Sequence, residues 1–132
     1  MSASAARMLT PFEALGSHDG IRRIVDRFYD MMDRDPAFAE LRALHAADLD
    51  PMRLSLSSFL TAWVGGPRDW FAANPDKCMM SVHAGLPISA RSADQWVRAM
   101  SAALNECDVD ADLASRIEAA FSAMASGMVR PS

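Results

Sequence analysis

The chain has 132 residues, 51% hydrophobic and 23% charged, a composition that excludes a disordered, collagen-like or membrane-embedded polypeptide and suits one folded domain. Thirteen basic against 17 acidic side chains leave a net charge of −4, which argues against a nucleic-acid surface because phosphate binding needs clustered Lys and Arg. Ala (24), Leu (11) and Met (10) dominate while Val, Ile and Thr together number only 12, so strong helix formers set an all-α class.

In chain order, residues 1–9 carry no periodic apolar pattern and read as a flexible N-terminal extension, with the folded domain over 10–132. They contain no apolar run of leader type, and no later stretch is long enough to span a bilayer. A cytoplasmic protein without membrane contact is expected. Thr10-Pro11-Phe12-Glu13 predicts a capping box that opens a short helix ending at Gly16. Ile21, Ile24, Val25, Phe28 and Met32 then define one face of a helix expected to be capped by Asp19, and Tyr29 shares that face. Asp35-Pro36 predicts a stop and restart, with Phe38, Leu41 and Leu44 on a short helix before His45.

Asp50-Pro51 repeats the device. Met52, Leu56, Phe59, Leu60 and Trp63 form the next stripe, which Gly65-Gly66-Pro67 must end. Residues 68–77 read as irregular, followed by a short helix over 78–83 that ends by Gly85. Ser92-Ala93-Asp94-Gln95 predicts a second capping box opening a stripe of Ala93, Trp96, Val97, Met100 and Leu104. Asp110 is expected to cap a last helix carrying Leu113, Ile117, Ala120, Phe121, Met124 and Met128, which frays near Gly127 and Pro131.

Phosphate-binding Gly loops, paired carboxylates and zinc-type His or Cys spacings are all missing, so no catalytic residue is assigned. The two cysteines, Cys78 and Cys107, are isolated and fit a reducing compartment. Among the three histidines, His83 lies between Met79, Met80 and Val82 on one side and Leu86, Pro87 and Ile88 on the other. Pattern alone leaves it either a core histidine bonded to a carbonyl or a metal ligand. Tyr29 and Trp96 likewise sit on apolar faces while each carries a polar hydrogen that wants a partner when buried.

Phe28-Tyr29-Asp30, Leu44-His45, Phe59-Leu60, Trp63-Val64-Gly65-Gly66-Pro67, His83 sixteen positions after that proline and Trp96 thirteen further on together resemble a group II truncated haemoglobin. The resemblance runs from about Pro11 to Leu104. It implies a two-over-two helical sandwich around a non-covalently held haem b (iron protoporphyrin IX), with the helix bearing the iron ligand reduced to a turn. On that reading His83 is the proximal iron ligand and Met79 packs beneath the porphyrin. Tyr29, His45 and Trp96 are the polar groups around a bound gas, and Met52, Leu56 and Phe59 face the ring. Departures are Val82 where a basic residue often meets a propionate, Leu86 where Phe is frequent, and Ser17 where a second Gly is usual. Arg53, at the edge of the distal stripe, is the candidate substitute for the propionate contact.

The implied function is reversible binding of O2, CO, NO or other small ligands by a monomer or homodimer. NO-detoxifying or peroxidase-like turnover with an unidentified reductase stands open beside it. The alternative is a haemless globin-like interaction or sensor module, which has no use for His83 together with three polar distal residues.

Overall fold

The computed structural model describes residues 10–66 and 87–129. The extension over residues 1–9, the irregular stretch 68–77, the short helix over 78–83 and the final proline of the chain lie outside them. The capping box forms as expected at α1 (Pro11–Ala14): the Thr10 hydroxyl accepts from the Glu13 N–H at 3.1 Å, and the Glu13 carboxylate accepts from the Thr10 N–H at 3.0 Å.

Helix α2 (Ser17–Arg34) starts two residues ahead of the expected Asp19 cap. Gly16 takes that place with φ +95°, and Ser17 follows in the left-handed region at φ +59°. Gly20 has to lack a side chain, because a Cβ there would stand 1.9 Å from the Leu15 carbonyl oxygen. The turn is therefore built from backbone close approach, and Asp19 is left to favour the positive end of the helix from inside its first turn. At the other end the Asp35 carboxylate accepts from the Ala37 N–H at 2.9 Å, and Pro36 opens a 3-10 turn (Pro36–Phe38) that leads into α3 (Ala39–Ala43).

Helix α4 (Asp50–Trp63) ends on the Gly-Gly pair, and each glycine has its own reason. Gly65 adopts φ +96°, while the Gly66 N–H reaches back to the Thr61 carbonyl at 2.8 Å, which makes a Schellman closure. A Cβ on Gly66 would lie 2.6 Å from the Phe12 ring, which is held there by the Phe12 N–H bond to the Val64 carbonyl at 3.0 Å.

Helix α5 (Ala90–Glu106) is capped by Ser89 rather than Ser92: the Ser89 hydroxyl accepts from the Ser92 N–H, and the Ser92 hydroxyl from the Ser89 N–H, both at 3.0 Å. Helix α6 (Ala111–Met128) carries the expected cap, the Asp110 carboxylate accepting from the Leu113 N–H at 3.1 Å. The link between them closes α5 with a second Schellman bond, Val109 N–H to the Leu104 carbonyl at 3.1 Å, and Asp108 holds the left-handed position at φ +58°.

Helix α2 packs on α4 and on α5, and α5 packs on α6, so two helix pairs are stacked over one core while α3 bridges α2 and α5. Ile21, Ile24, Val25, Phe28 and Met32 of α2 meet Leu56, Phe59 and Leu60 of α4, Met100 and Leu104 of α5, and Leu113, Ile117 and Phe121 of α6. A small apolar gap remains where Ile24, Leu60, Val64, Met100, Leu104 and Ile117 meet. The α4 stripe is covered only in its middle: Met52 is 39% and Trp63 36% exposed. Among the described residues no helix is long and apolar enough to cross a membrane.

Candidate functional site

Tyr29 stands in the middle of α2, 2% exposed, beside the fully buried Phe28. Consecutive helical residues diverge, so Phe28 and Tyr29 open two neighbouring contacts from one turn. The Phe28 ring meets Tyr29 edge-on at 4.9 Å and Trp96 of α5 at 5.1 Å between centroids, so one phenylalanine spaces the two polar aromatics. Trp96 also meets Phe121 of α6 at 5.0 Å, and the Tyr29 ring meets His45 at 5.9 Å. Three residues singled out from the sequence, Tyr29, His45 and Trp96, are thus linked through rings.

His45 is held by its own backbone neighbourhood. Its Nδ1 lies 3.0 Å from the Leu41 carbonyl oxygen. A carbonyl only accepts, so Nδ1 carries the hydrogen, and in the neutral ring Nε2 keeps its lone pair. The loop is fixed by Arg42, whose guanidinium donates to the Asp33 carboxylate at 2.9 Å and to the carbonyls of Ala46 and Ala47 at 2.9 and 3.0 Å. Leu41 is tied from its other side, its N–H donating to the Gln95 side chain at 2.9 Å. Gln95 precedes Trp96, so one residue, Leu41, couples the placement of His45 to that of the tryptophan.

Phe28, Arg42 and Gln95 were not singled out for the site. Phe28 is legible only as core, and the partner of Gln95 and most of those of Arg42 are backbone groups that no side-chain pattern reveals.

Among the described residues no hydrogen bond is made by the Tyr29 hydroxyl or the Trp96 Nε1–H. Burial pushes the Tyr29 phenol well above its ordinary 10.0, against a smaller opposing pull from the Arg53 cation, so the hydroxyl keeps its hydrogen throughout the neutral range. The site therefore offers two neutral donors, Tyr29 and Trp96.

Arg53 on α4 is bonded to α2. Its guanidinium donates to the Asp30 carboxylate at 2.8 Å, to the Asp26 carboxylate at 3.0 Å and to the Asp26 carbonyl at 3.1 Å. Its central carbon lies 5.8 Å from the Tyr29 ring centre, over the ring face. Leu56 and Phe59 are buried on the next face of the same helix, and Met52 continues that face at the surface. His83 and Met79 lie outside the described residues.

The described arrangement is apolar, with few polar groups and hydrogens not taken up internally, the chemistry a flat hydrophobic cofactor and a small polarisable ligand call for. The Bacterial-like globin family matches residues 10–130. Group 2 truncated hemoglobin YjbI of Bacillus subtilis is 25% identical over 103 residues, 78% of this chain and 75% of that protein. The group II 2-on-2 hemoglobin of Agrobacterium tumefaciens superposes with a TM-score of 0.89 at 29% identity, covering 98% of both chains. The hemoglobin of the thermophilic phototroph Chloroflexus aurantiacus superposes with a TM-score of 0.83 at 35% identity, covering 94% of this chain and all of that one.

Proposed function

The chain belongs to the Bacterial-like globin family, and from that premise we propose that it is a group II truncated haemoglobin that reversibly binds O2, and with it CO and NO, at a haem b carried by His83. Membership of the family implies a haem-binding globin. The observation that supports a gas-binding role is the pair of donors, Tyr29 and Trp96, standing one ring apart with no hydrogen bond to a described residue.

Haem supplies an iron able to take a diatomic gas. Everything else is the work of the chain. Leu56 and Phe59 present an apolar wall that keeps water from competing for the site. The Tyr29 hydroxyl and Trp96 Nε1–H would stabilise, by donation, partial negative charge on a small ligand held there. His45, whose Nδ1 is bonded to the Leu41 carbonyl, stands 5.9 Å from the Tyr29 ring and tunes that donation by flanking the phenol.

The test is the visible spectrum of the purified protein before and after dithionite and CO. A Soret band that shifts with each addition, and that His83→Ala loses or makes dependent on added imidazole, is expected. A protein that purifies colourless and takes up no haem on titration supports the haemless module. Spectra of His83→Ala identical to the parent's remove His83 as the ligand.

A further inference from the structure

Resting on the distal-donor reading of Tyr29, we propose that Arg53 is the positioning residue of the site: it sets the Tyr29 ring by closing its face and by clamping α4 to the turn of α2 that carries it. A hydroxyl with no hydrogen-bond partner among the described residues is placed by what walls in its ring. Among the described residues those walls include the edge contacts with Phe28 at 4.9 Å and His45 at 5.9 Å and, over the face, the Arg53 guanidinium at 5.8 Å.

Arg53 is itself immobilised. Asp26 and Asp30 lie one helical turn apart on α2, on either side of Tyr29 in sequence, and the planar guanidinium fork meets one carboxylate with each arm at 3.0 and 2.8 Å. The arm on Asp26 also reaches that residue's backbone carbonyl at 3.1 Å, so the clamp holds the helix backbone and not only its side chains. The Arg53 side chain is 16% exposed against 41% and 35% for Asp26 and Asp30, so the guanidinium is the shielded end of the clamp. A compact ammonium could not meet two carboxylates and cover a ring at once, so lysine is a poor substitute.

Tyr29 is the only tyrosine of the chain, which makes it a private reporter. With ring-13C tyrosine incorporated, NMR gives a single set of ring signals, measurable without reference to ligand binding. Arg53→Met and the milder Asp30→Asn should shift or broaden those signals, whereas Arg98→Met, which removes a surface partner of Asp94, should not. In the haem-loaded protein the first two should speed O2 release roughly 3- to 30-fold, less than loss of the hydroxyl itself, with CO release changed under about 2-fold.

Tyr29 signals that coincide with the parent's in both variants, whatever the melting temperature does, overturn the proposal and leave Arg53 a stability residue. Should Arg53→Met fail to fold, Asp30→Asn decides alone. The reading beneath is tested separately: if Tyr29→Phe leaves O2 release unchanged, the distal-donor role fails, and the NMR signals still decide whether Arg53 places the ring.

Discussion

Tyr29 and Trp96 differ in what they can offer. Indole has a hydrogen and no acceptor, whereas a phenol can turn either side toward a neighbour, so Trp96 is the stricter donor. A hydrogen bond to a group with charge character is worth about 1.5–3 kcal/mol, and loss of the dominant one should speed O2 dissociation roughly 10- to 150-fold. Stopped-flow release from Trp96→Phe and Tyr29→Phe measures this, with CO, less polarised when bound, moving far less. His45→Ala should change O2 release less than either at neutral pH, since its Nδ1 hydrogen is taken by the Leu41 carbonyl. Tyr29 also links stability to alkali. Its phenol is raised above the ordinary 10.0 in the folded chain, so the folded state holds the proton where the unfolded state has released it. Its contribution is complete below about pH 10 and is lost as pH rises above that value toward the raised folded pKa. Melting temperature against pH should fall more steeply above about pH 10 in the parent than in Tyr29→Phe. The aromatic members of the site were legible in the sequence because each put a polar hydrogen on an apolar stripe. The placement of Arg53 was not, because its partners Asp26 and Asp30 lie 27 and 23 positions earlier and become neighbours only when α4 crosses α2.

Elements were legible where the signal is carried by the chain's own backbone chemistry. Asp35-Pro36 and Gly65-Gly66 break helices whatever surrounds them, and the structure breaks at both. The two misplaced starts have nonlocal causes. Ser92 with Gln95 fits the capping pattern, yet the Gln95 side chain serves the Leu41 N–H 54 positions away, and Ser89 takes the cap instead. Asp19 lost its place to a turn built on Gly16 and on the close approach of Gly20 to Leu15. That turn leaves Ser17 at φ +59°, a region costing a side-chain-bearing residue roughly 1–2 kcal/mol relative to glycine's freedom there. Ser17→Gly should therefore stabilise by about 1 kcal/mol net of the added unfolded-state entropy, raising the melting point by about 3–6 °C in calorimetry. Gly66→Ala should do the reverse, costing about 1–3 kcal/mol as the Phe12 ring is displaced.

For the molecule as a whole, the junction of the four long helices is where packing counts most. Leu104, 2% exposed beside the apolar gap, should cost about 2–5 kcal/mol when cut to Ala, whereas Leu54, 61% exposed on α4, should cost under about 0.5 kcal/mol; urea titration separates them. The stacked pairs also impose an order in time. The joint at residues 107–110 lets α5 meet α6 as a hairpin of neighbours in the chain, while α2 must find α5 over spans such as Arg27 to Glu106, 79 positions apart. Closing the long loop costs more chain entropy, so the hairpin assembles first and gives α2 a surface to land on. On that order, weakening the hairpin with Ala114→Gly should slow refolding, whereas trimming the buried Ile24 of α2 to Val should mainly hasten unfolding, as stopped-flow chevron plots of the two variants would measure.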